Sequence, residues 1–234
     1  MIRLESPNHG TRPDGREVDM LVIHYTGMPD RDAALTRMCD PAAQVSAHYC
    51  IDEDGTLYHL VDEDRRAWHA GRSFWRGAED VNDRSIGIEL VNPGHEFGYR
   101  PFPEPQMLAL RDLAREILCR HPISPQNVVG HADIAPLRKQ DPGELFNWQR
   151  LARWGVGLWP PLEDDRPPQP DRPVDEIQMM LAAYGYGVPV SGILDETTRA
   201  VIAAFQRHFR PRRVDGRLDS ETVRQLELLV ELVC

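Results

Sequence analysis

The sequence predicts an α/β protein with a mixed central sheet flanked by helices, followed by a small all-α domain of three helices. Three observations carry that expectation. Two short apolar, β-rich runs, MLVIHY (20–25) and SIGIELV (85–91), read as buried strands. Residues 105–120 repeat apolar side chains at helical spacing. A proline-rich stretch, WPPLEDDRPPQPDRP (159–173), separates this mixed pattern from a purely helical one.

The elements follow in order. The first run ends at Gly27, just past His24. Residues 47–51 and 56–60 read as two strands joined at Asp54-Gly55, a strong hairpin signal. The turn cluster Asn92-Pro93-Gly94 ends the second buried strand. In 105–120, Met107, Leu110, Leu113, Ala114, Ile117 and Leu118 share one helix face. Residues 128–130 form a short strand that delivers His131. Six of the fifteen residues in 159–173 are proline, so an extended linker is expected there. It divides the 234-residue chain into a domain at 1–158 and a second at 174–234.

In the second domain, Ile177, Leu181 and Tyr184 mark the inner face of a first helix. Asp195 caps a second helix, with Val201, Ile202, Phe205 and Phe209 inward, and Asp219 or Ser220 caps a third. The loops GVPVSGIL (187–194) and VDGRL (214–218) share a texture: a glycine turn, an aliphatic residue, an acidic cap, then a helix.

The formal charge of −10 argues against a nucleic-acid binder, which needs basic patches to neutralise phosphates. No apolar run is long enough to span a membrane. The first residues, MIRLESPNHG, lack a basic segment followed by an apolar one, so no secretory signal is read there. Cys39, Cys50, Cys119 and Cys234 form no CxxC pair and read as reduced, mostly buried thiols, with a Cys39–Cys50 disulfide as the alternative. A monomer is expected.

Nine histidines are too many for all to be ligands, so position must select among them. His24 sits near the end of a buried strand, a common place for a site. His131 lies just past another strand. Asp141 follows ten residues on, where Ala135-Pro136 and Pro142-Gly143 let the chain loop back. Two imidazoles and a carboxylate suit Zn²⁺, with a fourth position left for water. On spacing alone, other histidines compete for the same role.

The stretches VIHYT (22–26), SAHYCIDEDGTLYHLV (46–61), AWHAGRSFW (67–75), NDRSIGIELVNPG (82–94), VVGHADIAPLRKQDPG (128–143) and FNWQRL (146–151) resemble one family. It is the zinc-dependent N-acetylmuramoyl-L-alanine amidase family, the type-2 group related to peptidoglycan-recognition proteins. The resemblance covers roughly residues 18–155, with the motifs in order. It implies His24, His131 and Asp141 as zinc ligands, and Glu89 and Lys139 as catalytic residues. The chemistry agrees: Glu89 would carry a proton from water to the leaving amine, and Lys139 would stabilise the oxyanion. His48, His69, Trp68 and Asn82 lie within family motifs and are candidates for substrate binding, with Trp75 a further cleft candidate. His48 is the substitute ligand should His24 not serve. His9, His59, His95, His121 and His208 read as ordinary surface or core histidines.

Residues 177–209 and 214–226 resemble the peptidoglycan-binding type-1 domain, a three-helix module. Its usual glycine-proline before the second helix is here Leu194-Asp195, which leaves its binding competence open. The expected activity is hydrolysis of the amide between (anhydro-)N-acetylmuramic acid and L-alanine, with a muropeptide or peptidoglycan as substrate. Recycling of 1,6-anhydro-muropeptides in the cytoplasm is the first expectation, and a periplasmic enzyme on intact wall the alternative. A non-catalytic recognition protein and a zinc hydrolase for another amide are the other readings.

Overall fold

The structure is a computed structural model that describes residues 1–160 and 172–233. Its strands are β1 (Ile2–Arg3), β2 (His9–Thr11), β3 (Met20–Tyr25), β4 (Tyr49–Ile51), β5 (Leu57–His59), β6 (Arg65–Ala67), β7 (Phe74–Trp75), β8 (Ala78–Glu79), β9 (Ser85–Leu90) and β10 (Val128–Gly130). Its helices are α1 (Arg31–Cys39), α2 (Gly94–Phe97), α3 (Glu104–Arg120), α4 (His131–Ile134), α5 (Trp148–Arg153), α6 (Val174–Tyr184), α7 (Glu196–Phe209) and α8 (Ser220–Val233).

A six-stranded mixed sheet runs in the order β1-β5-β4-β9-β3-β10. The β4–β5 pair is the antiparallel hairpin expected at Asp54-Gly55, and β4, β9, β3 and β10 run parallel. Strand β3 lies between two neighbours with both faces covered, which is why Met20–Ile23 is a continuous apolar run rather than an alternating one. Its odd-numbered side chains, Leu21 and Ile23, join Ile86, Ile88 and Leu90 of β9 against Leu110, Leu113 and Ile117 of α3. Its other face carries Met20 and Val22, which pack toward Trp75, Tyr186 and Phe205. The mixed sheet with helices on it is the fold class that the sequence predicts.

Helices α6, α7 and α8 form the C-terminal unit. The loop resemblance within it has a bonded basis. Gln178 in α6 accepts from the Ser191 and Gly192 amides at 2.8 and 2.9 Å and donates to the Ile193 carbonyl at 3.0 Å. Gln206 in α7 repeats this with the Asp215 and Gly216 amides and the Arg217 carbonyl, each at 2.9 Å. Asp195 and Asp219 then cap the Thr198 and Thr222 amides at 2.8 and 2.9 Å. Each buried glutamine satisfies a loop backbone that the tight turn leaves unpaired.

Most of the proline-rich stretch, residues 161–171, lies outside the described residues. Cys39 and Cys50 are free thiols, so the alternative disulfide is not formed. Cys119 is exposed, against the expectation of burial, because its side chain points off the solvent side of α3. Among the described residues no helix is long and apolar enough to cross a membrane.

Candidate metal centre

Parallel pairing in register builds the site. His24 of β3 pairs with Glu89 of β9, and Gly130 of β10 pairs with Ile23. The carboxyl ends of three adjacent strands therefore converge, the usual place for a site in a parallel sheet. His131 begins α4 directly after β10. The loop after α4 returns so that the Asp141 carbonyl accepts from the Ala132 amide at 2.9 Å. A Cβ on Gly130 would meet Pro142 at 2.7 Å and Trp148 at 3.2 Å, so only glycine lets the loop pack this closely.

His24 Nδ1 and His131 Nδ1 lie 3.0 Å apart, and Asp141 Oδ2 lies 3.0 Å from the first and 3.1 Å from the second. A tetrahedral zinc with bonds of about 2.0–2.1 Å has ligand–ligand edges of about 3.3 Å, close to this spacing. The hydrogen bonds on the far side of each ring fit the same reading. His131 Nε2 faces the Ala70 carbonyl at 3.1 Å and can only donate there. Its proton is thereby held on Nε2, and Nδ1 is left as a lone pair. His24 Nε2 faces His69 Nδ1 at 3.0 Å, and His69 Nε2 faces the Ser85 hydroxyl at 3.2 Å. Ser85 donates to the Val81 carbonyl at 2.7 Å, which makes its oxygen the acceptor for His69. The relay puts the His24 proton on Nε2 and frees Nδ1. Three converging lone-pair donors of these types are the chemistry of a cation site.

Burial lowers His24 to about 4, despite the hydrogen bond that the protonated ring would donate to Asp141. Burial alone would raise Asp141, but the neighbouring imidazoles outweigh it and hold the carboxylate well below its usual range. Burial pushes Glu89 well above the ordinary carboxylate range, with the Asp141 charge adding to the rise and Lys139 opposing it. Glu89 Oε2 is sealed from solvent and has no hydrogen-bond partner. Glu89, Lys139, His131 and Asp141 line one cleft of about 600 Å³.

The structure treats the other candidates differently. His69 lines the cleft and orients His24. His48 stands behind it, fully buried, and its Nδ1 accepts from the Gly87 amide at 3.0 Å. Its Nε2 faces the Arg65 carbonyl at 3.1 Å, so both nitrogens are engaged and neither is open to a metal. Asn82 is buried and caps the His69 and Ala70 amides at 3.1 and 2.8 Å. Trp68 flanks Gly10 of β2, away from the cleft. Trp75 is a core residue packed edge-on against Tyr184 and Tyr186. His48 and Asn82 thus stand behind or beside His69 and outside the cleft, held by contacts with Gly87 and with the His69 and Ala70 amides.

The rim also holds residues that the sequence reading passed over. His95 lines the cleft, with Nδ1 2.9 Å from the Tyr25 hydroxyl, and Phe97 beside it is 48% exposed. The signal was available: both follow the turn at the carboxyl end of β9, the same position that singled out His24.

Two expected results arise here. Gly87→Ala would place a Cβ 2.5 Å from the His69 ring. The ring must move, the relay to His24 breaks, and the affinity of the candidate centre for a divalent metal, measured by chelator competition, is expected to fall by about 10–100-fold. The second concerns pH. Burial also lowers His48 to about 3. Folded values below the ordinary 6.5 mean that the unfolded chain takes up protons first. Metal-free protein therefore keeps this stability above pH ~6.5 and loses it as pH falls toward ~4. Denaturant titrations of the Glu89→Gln variant at several pH values check this, because the raised Glu89 carboxyl acts in the opposite direction, and a flat profile there would refute it.

The chain is similar to known proteins in sequence and in fold. The family described as N-acetylmuramoyl-L-alanine amidase matches residues 14–144, and the putative peptidoglycan binding domain matches residues 171–226. N-acetylmuramoyl-L-alanine amidase AmiD of Escherichia coli is 43% identical over 232 residues, 92% of this chain and 83% of AmiD. A structure of AmiD from E. coli with anhydro-N-acetylmuramic acid-L-Ala-D-gamma-Glu-L-Lys superposes with a TM-score of 0.83 at 41% identity, covering 94% of this chain and 92% of that one. AmpDh3 from Pseudomonas aeruginosa, in complex with an anhydromuramic pentapeptide, has a TM-score of 0.82 at 35% identity and covers 95% of both chains. The 1,6-anhydro-N-acetylmuramyl-L-alanine amidase AmpD of Haemophilus influenzae is 35% identical over 166 residues, 63% of this chain and 88% of AmpD. The first match spans more than half of the chain and AmiD aligns with nearly all of it, so this chain belongs to the N-acetylmuramoyl-L-alanine amidase family.

Proposed function

We propose that this chain is a zinc-dependent amidase that hydrolyses the bond between anhydro-N-acetylmuramic acid and the L-alanine of its stem peptide. The observation that carries the metal is the convergence of His24 Nδ1, His131 Nδ1 and Asp141 Oδ2, with the far nitrogen of each ring engaged elsewhere. The substrate class rests on the muropeptides named in the AmiD and AmpDh3 complexes.

When bound, zinc acidifies a water and polarises a carbonyl. The chain's own residues do the rest. Glu89, which lines the cleft, takes a proton from the attacking water and returns it to the departing amine of L-alanine. The water oxygen bonds to the lactyl carbonyl carbon, the carbon–nitrogen bond breaks, and the water's second proton passes from the new carboxyl to the amine, so that a carboxylate and an ammonium are released. Lys139 Nζ stabilises negative charge on the carbonyl oxygen. His69 keeps His24 oriented, and the exposed Phe97 offers an apolar face on the rim to the sugar ring.

Residues 1–158 act in this reading as the catalytic domain and 174–234 as the added three-helix domain. A purely recognising protein would not need a complete donor set beside an unpartnered carboxyl. The test is chelation followed by zinc, with release of free stem peptide from anhydro-muropeptides followed by mass spectrometry. Activity on intact sacculi alone would move the substrate to the wall, and peptide release unaffected by chelation would end the zinc reading.

A further inference from the structure

The C-terminal unit meets the catalytic domain through a buried polar contact, not only through apolar surface. Asp133, in the first turn of α4, is 2% exposed. Its Oδ2 accepts from the Gly130 amide at 2.7 Å, which closes the turn that carries His131. The same carboxylate receives two groups from the far side of the chain. The Tyr186 hydroxyl donates to Oδ1 at 2.6 Å, and His208 Nδ1 lies 2.8 Å from Oδ2. Tyr186 is 1% exposed and His208 4% exposed, so these bonds have no competing water.

His208 reaches the same turn by a second route. Its ring stacks on Trp148 with centroids 3.8 Å apart, and Trp148 packs against Gly130. Its helix neighbour Arg207 donates to the Gln140 side chain at 3.3 Å, next to Asp141. Helix α7 thus touches both segments that carry the candidate ligands His131 and Asp141.

The dependence has a physical reason. Helix α4 spans four residues, too few to hold its own geometry, since a first helical turn is unfavourable without outside contacts. Its N-terminal amides need a partner, and Asp133 supplies one only while its own rotamer is held. Tyr186 and His208 hold it.

We propose that Tyr186 and His208 are positioning residues for the metal centre, setting the orientation of His131 through Asp133. The C-terminal unit then completes the framework on which the zinc site is built. This rests on the zinc reading above.

The test uses the full chain in three variants. Tyr186→Phe removes one oxygen and keeps the packing. His208→Phe keeps the stack on Trp148 and loses the donor, and His208→Asn restores a donor near the Nδ1 position. Zinc affinity is read by competition with a chromophoric chelator, and ligand geometry by the visible absorption of the Co²⁺-substituted protein. Tyr186→Phe and His208→Phe are expected to bind zinc about 10-fold more weakly with an altered cobalt band. His208→Asn is expected to lie closer to the unaltered protein, and kcat to fall more than KM rises. Unchanged affinity and spectrum in both Phe variants overturn the proposal while leaving the zinc reading intact. An unaltered protein that takes up no stoichiometric zinc overturns both.

Discussion

Glu89→Gln is expected to abolish turnover while leaving zinc in place, and to make the metal-free protein more stable. The three parts have separate causes. Gln keeps the volume and one oxygen of the side chain but cannot accept and return a proton, so the rate falls by about 10²–10⁴. Glu89 is not among the converging donors, so zinc uptake stays stoichiometric. The gain in stability follows from the raised pKa. A carboxyl pushed upward by burial ionises first in the unfolded chain, so at neutral pH it favours unfolding. The neutral amide removes that bias, and the melting temperature of chelated protein should rise. Turnover near the unaltered rate would remove Glu89 from the chemistry. Lost zinc would make it part of the metal's support instead.

Asp141→Ala carries the other large effect. The carboxylate is the one negative donor in the set and the group that both buried imidazoles face. Without it, zinc would be held by two neutral rings. The loss of affinity should exceed the ~10–100-fold typical of an outer-shell partner. Calorimetry gives the cleanest reading. A ligand present at 100 times its dissociation constant stabilises a protein by about 2.7 kcal/mol. Zinc should therefore raise the melting temperature of the unaltered protein and leave that of Asp141→Ala unmoved. Activity should vanish with the shift. A variant that still gains stability from zinc would mean that another residue supplies the third ligand.

The strands were legible because their causes are local. Apart from His24, Ser85 and Glu89, MLVIHY and SIGIELV are apolar on both faces because both faces of β3 and β9 are covered. The Asp195 cap was legible for the same reason, since an acidic residue before a helix satisfies amides a turn away. The weak loop resemblance in the C-terminal unit was visible as texture, but the two glutamines that explain it sit on preceding helices, beyond any local pattern.

The site was legible only in part. Strand-end position and family motifs singled out His24, His131, Asp141, Glu89 and Lys139 as candidates, and the structure gathers them around one cleft. The same motifs could not separate His69, which faces the cleft, from His48, which lies behind it. Both are histidines next to apolar residues, and only the stacking order beneath the sheet tells them apart. His95 was passed over because it stands outside the apolar runs that drew attention to strands.

By itself, the sequence determined strands β3, β4, β5, β9 and β10, helix α3 and the three C-terminal helices, together with the order of the motifs and the donor types at the candidate centre. These depend on neighbours along the chain or on motif identity. The tertiary structure alone decided which imidazole nitrogen is left without a proton, because Ala70, His69 and Ser85 do that from distant segments. It also decided that Tyr186 and His208 close on Asp133. The reason is the same in both cases: a buried polar group must find its partner in space, and that partner need not be near in sequence.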